Sequence, residues 1–287
     1  MAQSLWTVER LLEEACDGRV GERFGGPREL AAFGRDELLE GARRALARPQ
    51  EASFSPASRA LSSRLLAAQW TLLLESLGLP EPPRVLEPCA GGSDPVIVAL
   101  DAIYGARASY VTVNLNRGLA AELARRAADL DLQVEIIEDD ARNLSDHFEP
   151  ASFDCVCLHH AVNDILQTAV AATQGMDTRG IDWWPTERQM IEWMAQQHEK
   201  DGLQSVGLPE LRAVLQGCAR VLRPGAPMCF DHWTSKHHLG LDWFPGRLFN
   251  DMIPLARRLI PSLSIPLEEV TPEGLDAQWW MVLRRIG

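Results

Sequence analysis

No stretch of this 287-residue chain approaches the ~20 consecutive apolar residues that a bilayer-spanning helix needs, so no membrane partner is expected. The opening "MAQSLWTVERLLEEACDG" carries acids where a secretory leader would have a basic flank and an unbroken apolar core. A soluble, cytoplasmic protein is the resulting expectation. Positive charge is scarce too. Lys and Arg number 28 against 40 Asp and Glu, a formal charge of −12. Phosphate contacts dominate nucleic-acid affinity, so no nucleic-acid partner is expected. The richest basic segments, "RRAADLD" and "LARRLIP", read as solvated helix faces. The six cysteines are scattered through apolar context, which fits buried thiols in a reducing compartment and not a disulfide framework. Cys155 and Cys157 form C-x-C without a second pair, and no H-x-x-x-H spacing accompanies His159-His160 or His237-His238. No metal is therefore expected; Asp164 or Asp231 would be the acids one would need. Repeats and low-complexity tracts are absent.

What is present is apolar patterning. At 46% hydrophobic the chain can bury one large domain, or a core domain with an added subdomain. Residues 1 to 83 read as an N-terminal helical subdomain, a candidate cap over an active site. Within it Leu61, Leu65, Ala68, Leu72 and Leu73 form one buried stripe. Gly78, Pro80, Pro82 and Pro83 stop the helix and mark the boundary. From residue 84 to 287 short apolar strands ("RVLE", "SYVTV", "QVEII", "FDCVCLHH", "PMCFDHW") alternate with amphipathic helices, and "LEEVT" and "AQWWMVLRR" are late strand candidates. The pattern predicts an α/β fold with a doubly wound, mostly parallel sheet covered on both faces. Ligands of such sheets sit at the carboxyl ends of the strands, which is where "VLEPCAGGSDP" turns its corner.

The segments "VLEPCAGGSDP", "VTVNLN", "IIEDDARNL", "FDCVCLHHAV" and "RVLRPGAPMCFD", in this order, resemble the class I S-adenosylmethionine-dependent methyltransferases over residues 84 to 235. The resemblance implies a Rossmann-like seven-stranded sheet and S-adenosyl-L-methionine as cofactor. Carried onto this chain, it places the cofactor against Glu87, Cys89, Gly91, Ser93, Asn114, Leu115, Asp140, Ala141 and His159. Glu87 takes the acidic position of the first corner and is expected to accept hydrogen bonds from loop amides or from the cofactor ammonium. Gly91 can adopt positive φ and lets the ligand approach without a Cβ. Asp140 aligns with the acid that bonds the adenine amine, with Asp139 a competitor. Asn114 stands where the family carries an acid that accepts both ribose hydroxyls. A carboxamide has one acceptor and two donors, so Asn114→Asp is expected to strengthen binding.

Methyl transfer from a sulfonium is an in-line displacement, and a base is needed only if the nucleophile must lose a proton. His160, His232 and His159 are the candidate catalytic residues, near the ends of the fourth and fifth strands. Strand alternation would let only one of His159 and His160 face a substrate. Residues 161 to 206 form a lid-like insertion, and Asn163, Trp183, Trp184 and Trp233 are candidate acceptor-binding residues. An N-P-P-Y-type signature is lacking and the chain is acidic, so a small-molecule O- or N-methylation is expected. Two readings stand beside it: the same pocket used for a cyclisation or elimination, or a non-catalytic ligand-binding module.

Overall fold

The computed structural model describes residues 7–24, 29–47, 55–234, 236–272 and 274–287. Parts of the expected N-terminal helical region (1–6, 25–28 and 48–54) lie outside the described residues. The helices that precede the sheet are α1 (Val8–Leu12), continued by a π-helical turn at Glu13–Asp17, then α2 (Arg19–Arg23), α3 (Arg35–Ala47) and α4 (Pro56–Leu77). The longest, α4, begins as its sequence dictates: Ser55 Oγ accepts the Ser58 N–H at 2.9 Å and Pro56 occupies the first turn. It ends at Gly78, whose φ of 60° is the left-handed conformation of a helix C-terminus.

The sheet then builds in alternation: β1 (Arg84–Leu86), α5 (Pro95–Tyr104), β2 (Ser109–Val113), α6 (Arg117–Ala127), β3 (Gln133–Ile137), the short α7 (Leu144–His147) and β4 (Cys155–His159). Two helices, α8 (Ala161–Thr173) and α9 (Trp183–Glu199), precede α10 (Gly207–Val221) and β5 (Pro227–Asp231). Three short helices follow: α11 (Lys236–Leu239), α12 (Gly246–Asn250) and α13 (Met252–Leu259). The chain closes with β6 (Leu267–Glu269) and β7 (Trp280–Arg285). Strand order is β3-β2-β1-β4-β5-β7-β6, with β1 to β5 parallel and β7 antiparallel to both its neighbours. This is the Rossmann-like, doubly wound seven-stranded sheet expected from the alternation, and the order reverses between β1 and β4, which makes their carboxyl ends the switch point.

Alternation along each strand divides the core between the two faces. Leu86, Val156, Leu158, Met228 and Phe230 face a layer built from α8, α10 and α13. Val85, Tyr110, Cys155, Cys157 and Cys229 face α4 and α5. The two central strands are buried on both faces, which is why "CVCLH" and "PMCFD" read as continuous apolar runs. Apolar contact runs from α1, α3 and α4 into the sheet across the proline joint at 80–83. On the other face α8, the first helix of 161–206, supplies Val162, Ile165, Leu166 and Val170 to the core. Among the described residues no helix is long and apolar enough to cross a membrane.

Trp70 of α4 is fully buried, edge-on to Trp280 of β7 at 5.4 Å. Trp70→Ala is expected to cost about 3–5 kcal/mol and to lower one cooperative transition seen alike by circular dichroism and fluorescence in urea. A first transition confined to the helical layer would show that residues before 84 fold as a separate unit.

Candidate functional site

After β1 the chain keeps hydrogen-bonding to β2 while it turns: the N–H groups of Glu87 and Cys89 donate to the carbonyls of Val111 and Val113. Cys89 (φ 59°) and Gly91 (φ 60°) both adopt the left-handed conformation, a strained choice for cysteine that the flanking bonds hold in place. A side chain from the end of β2 then fastens the corner. Gly91 N–H donates to Asn114 Oδ1 at 3.0 Å, and Asn114 Nδ2 donates back to the Gly91 carbonyl at 3.1 Å. The backbone N–H of Asn114 in turn donates to Ile137 O, tying β3 to the same point. A Cβ on Gly91 would project between Leu119 Cδ1 (3.7 Å) and Asp164 Oδ2 (4.0 Å), where two clefts meet.

The first cleft, of about 690 Å³ and open to solvent, lies over the ends of β1, β2 and β3. Cys89, Gly91, Asn114 and Leu115 form its floor, with Asp140, Ala141 and Arg142 on one wall and Ile165, Ala169 and Trp183 on the other. The second, of about 880 Å³ with solvent included, continues over β4 past Gly91, Gly92 and Ser93 to His159, His160, Asn163, Trp184, Glu187, Trp233 and His238. Asp164 and Trp183 line both. Every candidate site residue except Glu87 and His232 lines one of these clefts.

Those two exceptions have physical reasons. Glu87 is buried, accepts a hydrogen bond from Tyr110 Oη at 2.7 Å, and points into the β2 side of the sheet, away from the loop amides. Burial, against the pull of His159 and Tyr110, pushes its carboxyl up to about 8. His232 is 1% exposed, and neither ring nitrogen has a hydrogen-bond partner. Burial, with the charge of His159 nearby, brings its pKa down to about 3. It sits behind His160, ring centroids 4.5 Å apart, as a neutral packing partner.

The two adjacent histidines both reach the second cleft, contrary to the expectation from strand alternation. His159 is the last residue of β4, whereas His160 has left the strand with φ 52° at the start of α8, so the period of two no longer applies. His159 Nδ1 lies 2.8 and 3.0 Å from the two carboxylate oxygens of Asp231, directly across in the β4–β5 register. Burial opposes its charge, yet the Asp231 carboxylate, helped by Glu87 and Asp94, outweighs that and raises its pKa. The Nδ1–H is therefore the donor, and Nε2 makes no hydrogen bond among the described residues. His160 differs. Its Nε2 accepts the Trp233 N–H at 3.3 Å, and burial together with His232 and His159 holds its pKa well below the usual histidine range.

Other side chains are committed to structure. Asn116 Oδ1 caps α6 by accepting the Leu119 N–H, while its Nδ2 donates to Thr178 and Ile181 carbonyls. Asp139 turns away to His147, Asn143 and the Asp140 N–H, leaving Asp140 as the acid on the cleft wall. Asp140 already accepts the Arg142 N–H and its guanidinium, and Arg142 continues to Glu210. A carboxylate offers about four lone-pair sites, so Asp140 keeps capacity for one more donor. Trp183 packs inward against Leu119, Ala171 and Met190, whereas Trp184 is 57% exposed and donates its indole N–H to Glu122 of α6 at 3.2 Å. Two acids of the groove over β4, Asp164 and Glu187, are not among the binding residues expected from the sequence. Asp164 falls in the first turn after β4 and Glu187 one turn after Trp183, a spacing that could have placed both at the same strand ends.

No protein-family model matches this chain, and no curated protein sequence matches it. Some solved structures align with it. They include a SAM dependent methyltransferase from Aquifex aeolicus (13% identity, 78% of this chain and 92% of that one, TM-score 0.47). An arsenic(III) S-adenosylmethionine methyltransferase from Chlamydomonas reinhardtii aligns at 18% identity over 72% and 65% of the two chains, with a TM-score of 0.36. The CurJ carbon methyltransferase aligns at 13% identity over 97% and 66%, with a TM-score of 0.46. Identities and scores this low leave the chemistry to rest on the chain's own residues.

Two measurements follow from the geometry. Asn114→Asp replaces the donor facing Gly91 O by a second oxygen, so it should cost about 1–3 kcal/mol of stability, measured by denaturant titration. Unchanged stability would mean the bonds to Gly91 do not form. His159 should titrate by nuclear magnetic resonance above the ordinary histidine value of about 6.5, and Asp231→Asn should bring it below that value. Because the folded pKa is the higher one, the pair's stabilisation is complete below about 6.5 and is lost as pH rises through the folded value. Titration of His159 at or below 6.5 in the unaltered chain would contradict the pairing.

Proposed function

We propose that this chain is an S-adenosylmethionine-dependent methyltransferase acting on a small-molecule acceptor. The observation that carries the reading is the continuity of the two clefts at Gly91. A cleft over β1 to β3 opens, where a Cβ is missing, into a histidine-lined groove over β4.

The residues present fit the cofactor at its two ends. Ala141, Ile165 and Ala169 offer apolar walls for an adenine and Asp140 an acceptor for its amine. Ser93 and the free amides at the start of α5 suit a carboxylate. In the middle the fit is looser, since Asn114 has spent both ends of its carboxamide on Gly91 and cannot accept a ribose diol without breaking that clamp. When bound, S-adenosylmethionine supplies an electrophilic methyl carbon to a lone pair aligned with it.

The acceptor side is the work of this chain's own groups. His159 is the best-placed base: Asp231 fixes its tautomer and ring orientation, so its Nε2 can take a proton from an acceptor O–H or N–H in the groove. His160 positions the groove wall, because its Nε2 lone pair is held by the Trp233 N–H. His232, buried behind it, fills space. The acidity of the chain favours a small acceptor over a polyanion.

Calorimetric titration with S-adenosylmethionine and S-adenosylhomocysteine tests the reading. Both should bind, and Gly91→Val should weaken them by at least about a hundred-fold, since valine resists φ 60° and fills the junction. Absence of binding by either compound to the unaltered chain would contradict the proposal.

A further inference from the structure

The groove over β4 contains two carboxyl side chains that no guanidinium or ammonium pairs among the described residues, and the His159 imidazole nearby is already bound to Asp231. Asp164 Oδ1 accepts Asn163 Nδ2 at 2.6 Å, and its Oδ2 faces the junction beside Gly91. Glu187, one helical turn beyond Trp183, lines the same groove from α9. Neither forms an ion pair among the described residues, whereas the other two acids that line the clefts, Asp140 and Glu210, both pair with Arg142. A third group points the same way. Asn163 is 5% exposed and lines the groove, and its Oδ1 has no hydrogen-bond partner. A buried acceptor left open costs free energy unless something donates to it. Each carboxyl has one neutral donor, Asn163 Nδ2 for Asp164 and the Trp183 side chain for Glu187, and lone pairs to spare; the Asn163 oxygen has none, and the walls between them are the rings of Trp183 and Trp233.

We propose that the acceptor carries a basic amine, whose cationic nitrogen lies between Asp164 and Glu187, donates to Asn163 Oδ1 and is flanked by the rings of Trp183 and Trp233. An ammonium or substituted ammonium has the two or three N–H donors that this set lacks, and indole faces attract it further. The raised pKa values of both carboxyls agree with a missing counter-charge: burial comes first in each, and for Asp164 the repulsion of Glu187 comes second. A neutral alcohol would leave two desolvated carboxyls facing each other, and an anion would be repelled. The assignment rests on the methyltransferase reading for the word acceptor, while the amine site itself needs only the groove. Asp164 borders both clefts, so it also faces the end of the cofactor; Glu187 borders the groove alone.

The test compares three probes of one shape: phenethylamine, 2-phenylethanol and 3-phenylpropionate. Their affinities are measured by tryptophan fluorescence and calorimetry on the full chain, with and without saturating S-adenosylhomocysteine. Phenethylamine should bind at least about ten-fold more tightly than the alcohol, and the carboxylate should not bind. Glu187→Gln should erase the preference for the amine while leaving S-adenosylhomocysteine affinity within about three-fold; Asp164→Asn should weaken both. Equal affinity for amine and alcohol in the unaltered chain overturns the proposal, and so does an amine preference that survives Glu187→Gln. Loss of S-adenosylhomocysteine binding with the amine intact in Glu187→Gln also overturns it, because the acid would then serve the cofactor. If S-adenosylhomocysteine fails to bind the unaltered chain, the cofactor reading falls. The amine preference, measured without it, then stands or falls on its own numbers.

Discussion

One carboxamide holds the site together. Asn114 and the Gly91 peptide exchange two hydrogen bonds across the end of β2, and through them the loop after β1 is fixed to β2 and, by the Asn114 N–H, to β3. Each such bond contributes only about 1 kcal/mol net, but losing one partner strands a buried polar group at greater cost. The clamp explains why a non-glycine, Cys89, can sit at φ 59° two residues earlier, and why Gly91 presents its bare Cα to the junction. It also changes how a nucleoside would be held, because the position that usually answers a sugar diol is occupied with backbone. Affinity then falls to the adenine wall and to the start of α5.

Charge in the groove is organised by the same low-dielectric logic. His160 lies within ring-contact distance of both His159 and His232, and three positive charges there would repel strongly. Asp231 settles which can take up a proton: it faces His159 across the β4–β5 register, while burial first, and the neighbouring histidines second, keep His160 and His232 neutral. Across the groove the situation is inverted. Asp164 and Glu187 repel each other, the pull of His159 on Asp164 is the weaker effect, and no guanidinium or ammonium pairs them among the described residues, an asymmetry that a positively charged guest would relieve. The floor of the groove and its far wall thus ask for a guest with one cationic end and a proton within reach of His159 Nε2.

Much of this was legible in the sequence, for reasons that particular residues show. Buried strands such as "CVCLH" and the helix stop at Gly78 are local signals, and a mostly parallel sheet follows once strands alternate with helices. Gly91 was readable because left-handed backbone needs glycine. The partners of Asn114 were not, since a carboxamide 23 residues from the peptide it clamps looks the same as one facing a ligand. Glu87 misled for a similar reason: an acid at a loop corner suggests exposed amides, but Tyr110 and burial claim it. The apolar face of helix α8, read alone, gives no clue to the sheet beneath it. Asp164 and Glu187 converge from two helices, and that convergence is a property of packing, not of spacing.

The most direct test of the account is the crystal structure of the chain with S-adenosylhomocysteine. The nucleoside should lie over β1 to β3 with its adenine against Ala141 and Ile165, its homocysteine end at Gly91 and Ser93, and both Asn114–Gly91 hydrogen bonds intact. A nucleoside bound elsewhere, or one whose ribose hydroxyls take over Asn114 and release Gly91, would contradict it.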